Sequence, residues 1–332
     1  MTAKDKALLK TQIEKILLIQ GNQFIKELLR ENSLPIGSTK KDFLTNITNA
    51  IDEDHITREM IEAWLKQVEG WGNQHLYLFE PPEISPQDAH EAISQSEFSP
   101  LIEQGFGYEF PENLQLTNIE LGDEGISLVW QQGKEGWNRN RTKDISPQQE
   151  GLEVYKYEAY RQRLDRSTVR FEWRFTDPFI AILIHRSKEI DHSIAIEQVW
   201  QEVSSLGLCA ARTARISLSR AVKSASDGDV ETKSTKFGTD DGHVEMVSNL
   251  ASGGINDVEA VRQARLGLNV DDFPRAEGAF VMNEEGFNLS RELSIKVVGS
   301  IGHVAIWAHC KRDDIYTVLD NLMSLNAEDD DK

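Results

Sequence analysis

The spacing of apolar residues changes once along this chain, and that change constrains the fold more than any other feature. Between residues 8 and 68, apolar side chains recur every three to four positions, which is the period of an amphipathic helix. After residue 74 they recur in short runs at every second position, which is the period of a half-buried strand. The change predicts an α+β protein with an N-terminal helical bundle, followed by a mixed domain built on an antiparallel β-meander with flanking helices.

Turn and capping residues divide the N-terminal part into four helices. Gly21 breaks the first apolar run, and either Ser38 or Thr39 can cap the third helix. Thr57 begins a fourth helix, which a Gly-Trp-Gly turn ends. We therefore predict a helical module over residues 1–73.

The remaining chain predicts an α+β domain over residues 74–326, followed by an acidic tail at 327–332. Residues 224–278 are rich in Ser, Gly and Asp, which is typical of a loop-rich insert. A hairpin and a helix are expected to close the domain. Strands are expected at 114–121, 126–131, 154–160, 167–175, 179–185, 293–298 and 304–308, and helices at 85–104, 191–205, 209–225 and 313–325.

Composition limits where such a chain works. No apolar run approaches the roughly 20 residues needed to span a bilayer, so no membrane partner is expected. The first residues lack the pattern of a secretory signal, and the two cysteines have no CxxC pairing. We expect a cytoplasmic protein, nucleoid-associated or nuclear according to its source. The net charge of −19 excludes wholesale coating of nucleic acid and confines any contact to a local basic face.

Residues 24–47 resemble the SAP motif, in which two amphipathic helices flank a leucine-proline-glycine-lysine turn. In this family the glycine usually stands two residues before the lysine. Here Ser38 holds that place, and Gly37 stands one residue earlier. The resemblance implies contact with duplex DNA, with little sequence preference and often at AT-rich tracts. The matching positions are Leu28, Leu34, Lys40, Phe43 and Ile47.

The start of the second helix of this motif offers both groups that a phosphate contact needs. Backbone amides at Ser38 and Thr39 point out of a helix N-terminus, and Lys40 and Lys41 supply cations. Residues 4–41 carry eight Lys and Arg against four Asp and Glu. The alternatives are ordinary first-turn lysines on a solvated helix, or a module that docks onto protein.

The order of predicted elements along the whole chain also resembles the centromere protein N family. The shared layout is a helical bundle, a linker near residue 80, a meander, helices and a terminal strand–helix unit. The resemblance implies binding to nucleosomal DNA and docking of partner proteins. It rests on layout alone, without a diagnostic motif.

Two further sets of cations are candidate DNA contacts. Arg139, Arg141 and Lys143 lie beside Trp137 in a predicted loop, where an aromatic ring can stack on a base. Arg170 and Arg174 share one face of a predicted strand. The alternatives are a solvated basic loop and a ladder of ion pairs. A third basic set lies along one side of the helix predicted at 209–225 and contains Arg212, Arg215, Arg220 and Lys223.

The sequence offers no motif for catalysis that outweighs a structural explanation. We therefore assign no catalytic residues, no metal ligands and no cofactor. The eight histidines show no spacing typical of metal ligands. Asp229, Glu231 and Lys233 match the acid–x–acid–x–lysine spacing of some nucleases, but they lack apolar flanks.

These patterns favour a non-enzymatic, DNA-associated adaptor. The N-terminal module and a basic loop or sheet would contact the duplex backbone, and the terminal strand–helix unit would bind a protein partner or a second copy. One alternative is a protein-docking subunit of a multi-component complex, such as a phage-defence complex. The other alternative is an unrecognised nuclease.

Overall fold

The computed structural model confirms an α+β fold, with N-terminal helices followed by an antiparallel sheet. It describes residues 1–102, 107–185, 190–228, 230–239, 242–248, 253–268 and 275–327.

The described part of the chain contains the following elements in order. The helices are α1 (Ala3–Ile19), α2 (Asn22–Glu31), α3 (Lys40–Asp52), α4 (Arg58–Val68), α5 (Pro86–Gln95), α6 (His192–Ser205), α7 (Ser219–Asp227), α8 (Glu259–Leu268), α9 (Glu284–Phe287) and α10 (Arg312–Ala327). The strands are β1 (Gln74–Phe79), β2 (Gln115–Gly122), β3 (Gly125–Arg139), β4 (Ile145–Glu150), β5 (Glu153–Tyr157), β6 (Tyr160–Arg174), β7 (Ile180–His185), β8 (Glu231–Thr239), β9 (Gly242–Val247), β10 (Arg275–Met282), β11 (Leu293–Val298) and β12 (His303–Ile306).

The chain divides into two compact units that are each built from separated segments. The first unit consists of residues 1–56, 108–116 and 130–167. The second consists of residues 57–107, 117–129 and 168–332. The sequence placed α4 in the N-terminal module, whereas the structure places it in the second unit, where it contacts α10.

Three helices form the helical part of the first unit. Thr2 and Thr39 cap α1 and α3 with reciprocal capping boxes, which satisfy amides that have no partner within the helix. Both α1 and α2 contact α3. The helices bury Leu9, Ile13, Ile16 and Leu17 of α1, Phe24, Ile25, Leu28 and Leu29 of α2, and Phe43, Ile47, Ala50 and Ile51 of α3.

The second unit is organised by the large sheet, whose strand order is β2-β3-β6-β7-β1-β12-β11-β10-β8-β9. On one face, α7 and α10 contact each other, and their apolar residues share one buried cluster with β1, β7, β11 and β12. On the other face, Trp200 of α6 packs edge-on against Phe79 and Phe171. The terminal strand–helix unit, which we expected to mediate docking, therefore has its apolar face in the core.

Several segments differ from their sequence predictions. The helix expected at 85–104, for example, ends at Gln95. The helix expected at 209–225 begins only at Ser219, and residues 209–218 are not helical. The backbone of residues 212–218 bonds to other segments instead: the amide of Ile216, for example, donates to the carbonyl of Leu78. The described residues between 224 and 278 were expected to be loop-rich apart from a helical pattern at 258–266. That helix is α8, but the segment also includes the strands β8 and β9, and β8 pairs with β10 of the large sheet. Within the described residues, no helix is long and apolar enough to cross a membrane.

Candidate binding surfaces

The amides predicted to hold a phosphate at the start of α3 already donate to a carboxylate of the same helix. The backbone N–H groups of Ser38 and Thr39 lie 3.0 and 2.9 Å from Oδ2 of Asp42. These bonds, first of all that from Thr39, hold the pKa of Asp42 below its usual range. A Cβ atom at Gly37 would lie 2.1 Å from Cβ of Asp42, so the glycine permits this close approach.

The two lysines that follow have different surroundings. Nζ of Lys40 donates to the carbonyls of Leu18 and Gln20, at 2.5 and 2.9 Å. It thereby satisfies carbonyl groups at the end of α1, where a cation is also favoured by the helix dipole. Lys41 is exposed, and its ammonium group makes no ion pair within the described part of the chain. Of the four predicted contacts here, Lys41 is the one that leaves a cation available to a ligand.

The basic segment around residue 140 is partly strand rather than loop. Strand β3 extends to Arg139, and the amide of Asn140 donates to the carbonyl of Ala159 at 2.8 Å. Arg139 pairs with Asp144 at 2.6 Å and also with Glu158, and these bonds raise the pKa of Arg139. Hydrogen bonding from Arg139 lowers the pKa of Asp144. Arg139 is therefore neutralised by its own hairpin.

Arg141 and Lys143 differ from Arg139 because they remain available. They lie in a short 3-10 turn, both are exposed, and within the described residues neither side chain forms an ion pair. Trp137, two residues before the end of β3, is 64% exposed. In this turn an exposed aromatic ring lies close in sequence to two exposed cations that form no ion pair within the described residues.

Next to this turn the chain forms a hairpin with an unusual surface, which we call the exposed hairpin (residues 145–157). Its strands β4 and β5 pair only with each other among the strands described, and every residue of both strands is exposed. A two-stranded hairpin without a packed face is marginally stable in water. Nevertheless, five large side chains here are between 40% and 102% exposed: Ile145, Leu152, Val154, Tyr155 and Tyr157.

The turn of the exposed hairpin is acidic as well as apolar. Glu150 lies directly opposite Glu153, and Leu152 between them is fully exposed. The sequence predicted a strand at 154–160, which overlaps β5, but it did not predict β4 and gave no reason to treat this region as a surface. The sequence did contain one indication of this surface. Val154 and Tyr155 are consecutive, so apolar side chains point to both faces of the strand, and no neighbouring helix was predicted to cover either face.

Arg170 and Arg174, predicted as DNA contacts on one strand face, form ion pairs within the protein. This is the alternative that the sequence left open. Arg170 is 7% exposed, stacks on Trp71 at 4.5 Å and lies 3.8 Å from Glu172. Arg174 pairs with Asp177 at 2.5 Å and also with Asp320. Neither guanidinium group is presented to solvent as a free cation.

Charge is distributed very unevenly between the two units. The first unit contains 16 Lys and Arg and 16 Asp and Glu, and therefore has no net charge. The second contains 20 Lys and Arg against 39 Asp and Glu, and so carries the whole net charge of −19. Since phosphates are repelled by an acidic surface, the first unit is the more favourable place for any nucleic-acid contact.

The described residues contain no group of three His, Cys, Asp or Glu side chains placed to hold a metal ion. Of the predicted nuclease string, Glu231 lies on β8 and pairs with Lys233 at 2.6 Å, and Asp229 lies outside the described residues. No protein-family model matches the chain, and no curated protein matches it.

Proposed function

We propose that this protein is a docking subunit that binds a partner protein through the exposed hairpin. The observation that carries the proposal is the set of five large apolar or aromatic side chains on a hairpin whose two strands are exposed at every residue. Contiguous exposed apolar surface in a folded protein marks an interaction site. Burying Ile145, Leu152 and Val154 would contribute roughly 5–9 kcal/mol before the costs of association.

The acidic turn favours a protein partner over nucleic acid for this hairpin. Glu150 and Glu153 lie on either side of Leu152, so phosphates would be repelled from the turn. A partner pocket with an apolar floor and a basic rim would instead accept Leu152 and pair with both carboxylates. The open edge of β5 can in addition pair with an extended strand of the partner. Pro147 makes the edge of β4 less suitable, because proline lacks an amide hydrogen.

The test places a photo-crosslinking amino acid at position 152 of the full chain, expressed in its native cells. The matched control carries the same amino acid at Leu266 of α8, which is also highly exposed, at 73%. We expect a specific heteromeric adduct from position 152 and none from position 266. The partner identified in this way is then purified, and Leu152→Asp/Val154→Asp should weaken its binding at least 100-fold.

Three outcomes would reject this proposal. The first is the same adducts from both positions, and the second is unchanged affinity of the double variant for the purified partner. The third is an adduct formed only between two copies of this chain, together with a dimer in light scattering. That result would assign the hairpin to self-association.

Duplex DNA binding by the basic turn is a second candidate function. It is favoured by Arg141 and Lys143, which are exposed and unpaired within the described residues beside an exposed Trp137, in the unit that has no net charge. At such a site the cations would contact the phosphates of the DNA backbone, while the indole ring stacks on a base or packs in a groove of the duplex. Lys41, which lies in the same unit, would add a further phosphate contact.

The test measures binding of a labelled duplex across a salt series. Arg141→Glu/Lys143→Glu should weaken binding and reduce the slope of log K against log salt by about 2, since each phosphate contact contributes about 0.9. Arg220→Glu/Lys223→Glu on α7 makes the same charge change in the second unit and should leave the slope unchanged. Equal effects of the two double variants would exclude the basic turn as the site.

The same assay tests the start of α3. Asp42→Ala removes the carboxylate that now accepts from the amides of Ser38 and Thr39. Tighter DNA binding by this variant would show that these amides can hold a phosphate once they are released. Unchanged or weaker binding would limit the contribution of α3 to Lys41.

A further inference from the structure

A cluster of basic and aromatic side chains lies on the sheet of the second unit and shares no residue with either proposed surface. We call it the His–Arg cluster and define it as His75, Tyr77, His192, Arg212, Arg215 and His303. Strand β1 supplies His75 and Tyr77, and β12 supplies His303, which is directly opposite Tyr77 in the register. His192 is the first residue of α6. The two arginines come from the non-helical segment that bonds to the end of β1, where Phe79 bridges to Arg215.

The three imidazoles and the phenol form one hydrogen-bonded and stacked group. Nδ1 of His75 lies 3.0 Å from Nε2 of His303, and the two rings are parallel within 3°. The hydroxyl group of Tyr77 lies 2.8 Å from Nδ1 of His192. Tyr77 also stacks on His303, with ring centroids 4.7 Å apart. Because only one proton can lie between His75 and His303, a change in protonation at one ring requires rearrangement at the other.

The guanidinium groups lie over aromatic rings of β1 and not against carboxylates. Arg215 lies 5.1 Å from the ring centre of Tyr77, and Arg212 lies 5.1 Å from that of Phe79. Arg215 donates to the carbonyl of Ile301 at 3.4 Å, while its buried Nε has no hydrogen-bond partner. Among the described residues, neither arginine pairs with an acid. In a chain with 19 more acids than bases, two such arginines at one place are conspicuous.

The electrostatic surroundings of His303 are positive. Burial, followed by the nearby His75, His192, Arg215 and Lys296, lowers the pKa of His303 to about 4. Lys296 of β11 shares Glu277 of β10 with Lys236. Asp191, the N-cap of α6, accepts hydrogen bonds from Ser193 and the amide of Ile194. At the adjacent register positions, β7 contributes Ile182 and Ile184, which are uncharged.

We propose that the His–Arg cluster is a binding site for a phosphate-bearing anion and that protonation of its imidazoles strengthens the binding. The ligand oxygens accept hydrogen bonds from the two guanidinium groups and from imidazolium N–H groups. The anion supplies the negative charge that the cluster lacks, and its binding is therefore coupled to proton uptake. The aromatic rings of Tyr77 and Phe79 hold the arginines in place by cation–π contact.

The test follows the histidine ring resonances of the full chain by NMR while sulfate, inorganic phosphate or a nucleoside monophosphate is added. Sulfate keeps its charge between pH 5.5 and pH 8, so its pH dependence reports on the protein alone. We expect the rings of His75, His192 and His303 to shift on ligand addition, and sulfate to bind at least tenfold more tightly at pH 5.5. A nucleoside monophosphate that binds tenfold more tightly than inorganic phosphate would identify a nucleotide as the source of the phosphate.

Arg215→Gln should weaken sulfate binding at least tenfold, whereas Lys223→Gln, an exposed cation of α7, should have no effect. If Arg215→Gln does not fold, Arg212→Gln at the exposed neighbouring position carries the same test. Absence of ring shifts, pH-independent sulfate binding, or equal binding by the arginine and lysine variants would overturn the proposal. Each of these outcomes is independent of the exposed hairpin, because no residue of the cluster belongs to the first unit.

Discussion

At the scale of single residues, the half-buried His303 makes the stability of the folded protein depend on pH. Its ring is enclosed by His75, Tyr77 and nearby cations, so the folded protein resists protonating it. An unfolded chain has no such resistance and takes up the proton near the ordinary histidine pKa of about 6.5. The folded and unfolded states therefore bind different numbers of protons between these two values.

The expected consequence is a loss of stability in acid. Because the pKa of His303 is about 4 in the folded protein, its contribution is fully present above pH 6.5 and is lost as the pH falls toward 4. We expect the free energy of unfolding to be about 2 kcal/mol lower at pH 5 than at pH 7, as measured by urea unfolding. His303→Gln should flatten this dependence, whereas His243→Gln, which replaces an exposed side chain of β9, should not. Parallel pH curves for both variants would contradict the prediction.

At the scale of secondary-structure elements, capping residues made the starts of four helices predictable. Thr39, Thr57, Ser85 and Asp191 are the N-caps of α3, α4, α5 and α6, and their side chains accept hydrogen bonds from the first turn. These bonds are local, so the sequence shows them directly. Gly37 is a related case, because a Cβ atom at this position would meet Asp42, five residues away.

Predictions failed where partners came from distant parts of the chain. Residues 212–218 carry a helical pattern, but strand ends near Leu78 and Gly299 bind their backbone. The polar stretch around β8 forms a strand because β10 pairs with it. Likewise, the sequence showed that Arg170 and Arg174 carry charges on one strand face. It could not show that Arg170 stacks on Trp71 or that Arg174 pairs with Asp320, because these partners are distant in sequence. The His–Arg cluster joins four separated segments, and no sequence spacing could show it.

The stability of the protein should depend strongly on Glu172 of β6, because this buried carboxylate contacts side chains from several elements. It accepts hydrogen bonds from Ser127 at 2.6 Å and from Tyr316 at 2.8 Å, and lies within 4.0 Å of Arg170 and Arg312. Glu172→Ala leaves two guanidinium groups without their shared counter-ion. We expect a loss of about 3–5 kcal/mol in chemical denaturation.

Glu245→Ala provides the control, since Glu245 is exposed on β9 and should change stability by less than about 0.5 kcal/mol. Similar values for the two variants would show that Glu172 is not required by the network around it.

At the scale of the whole molecule, neither unit is a continuous stretch of sequence. Helices α1–α3 belong with residues 108–116 and 130–167, and α4 belongs with the second unit. Removal of residues 1–56 should therefore destabilise a segment more than 70 residues away in sequence.

Arg166 provides the measurement, because it is 6% exposed and stacks on Phe110 within the first unit. Trypsin should cleave after Arg166 much faster in the shortened chain than in the intact one, while cleavage at the exposed Arg141 should be fast in both. Equal protection of Arg166 in the two chains would show that residues 130–167 fold without the helices.

Because the first unit is built from separated segments, its parts are synthesised at different times. Its helices leave the ribosome long before the strands that complete their unit, because 111 residues separate Ile56 from Ser167. At 5–20 residues per second, that delay is about 6–22 seconds. Helix formation takes microseconds or less, so α1–α3 can form early and then remain for seconds without their β partners. The first unit therefore cannot be completed before translation has delivered residues 130–167.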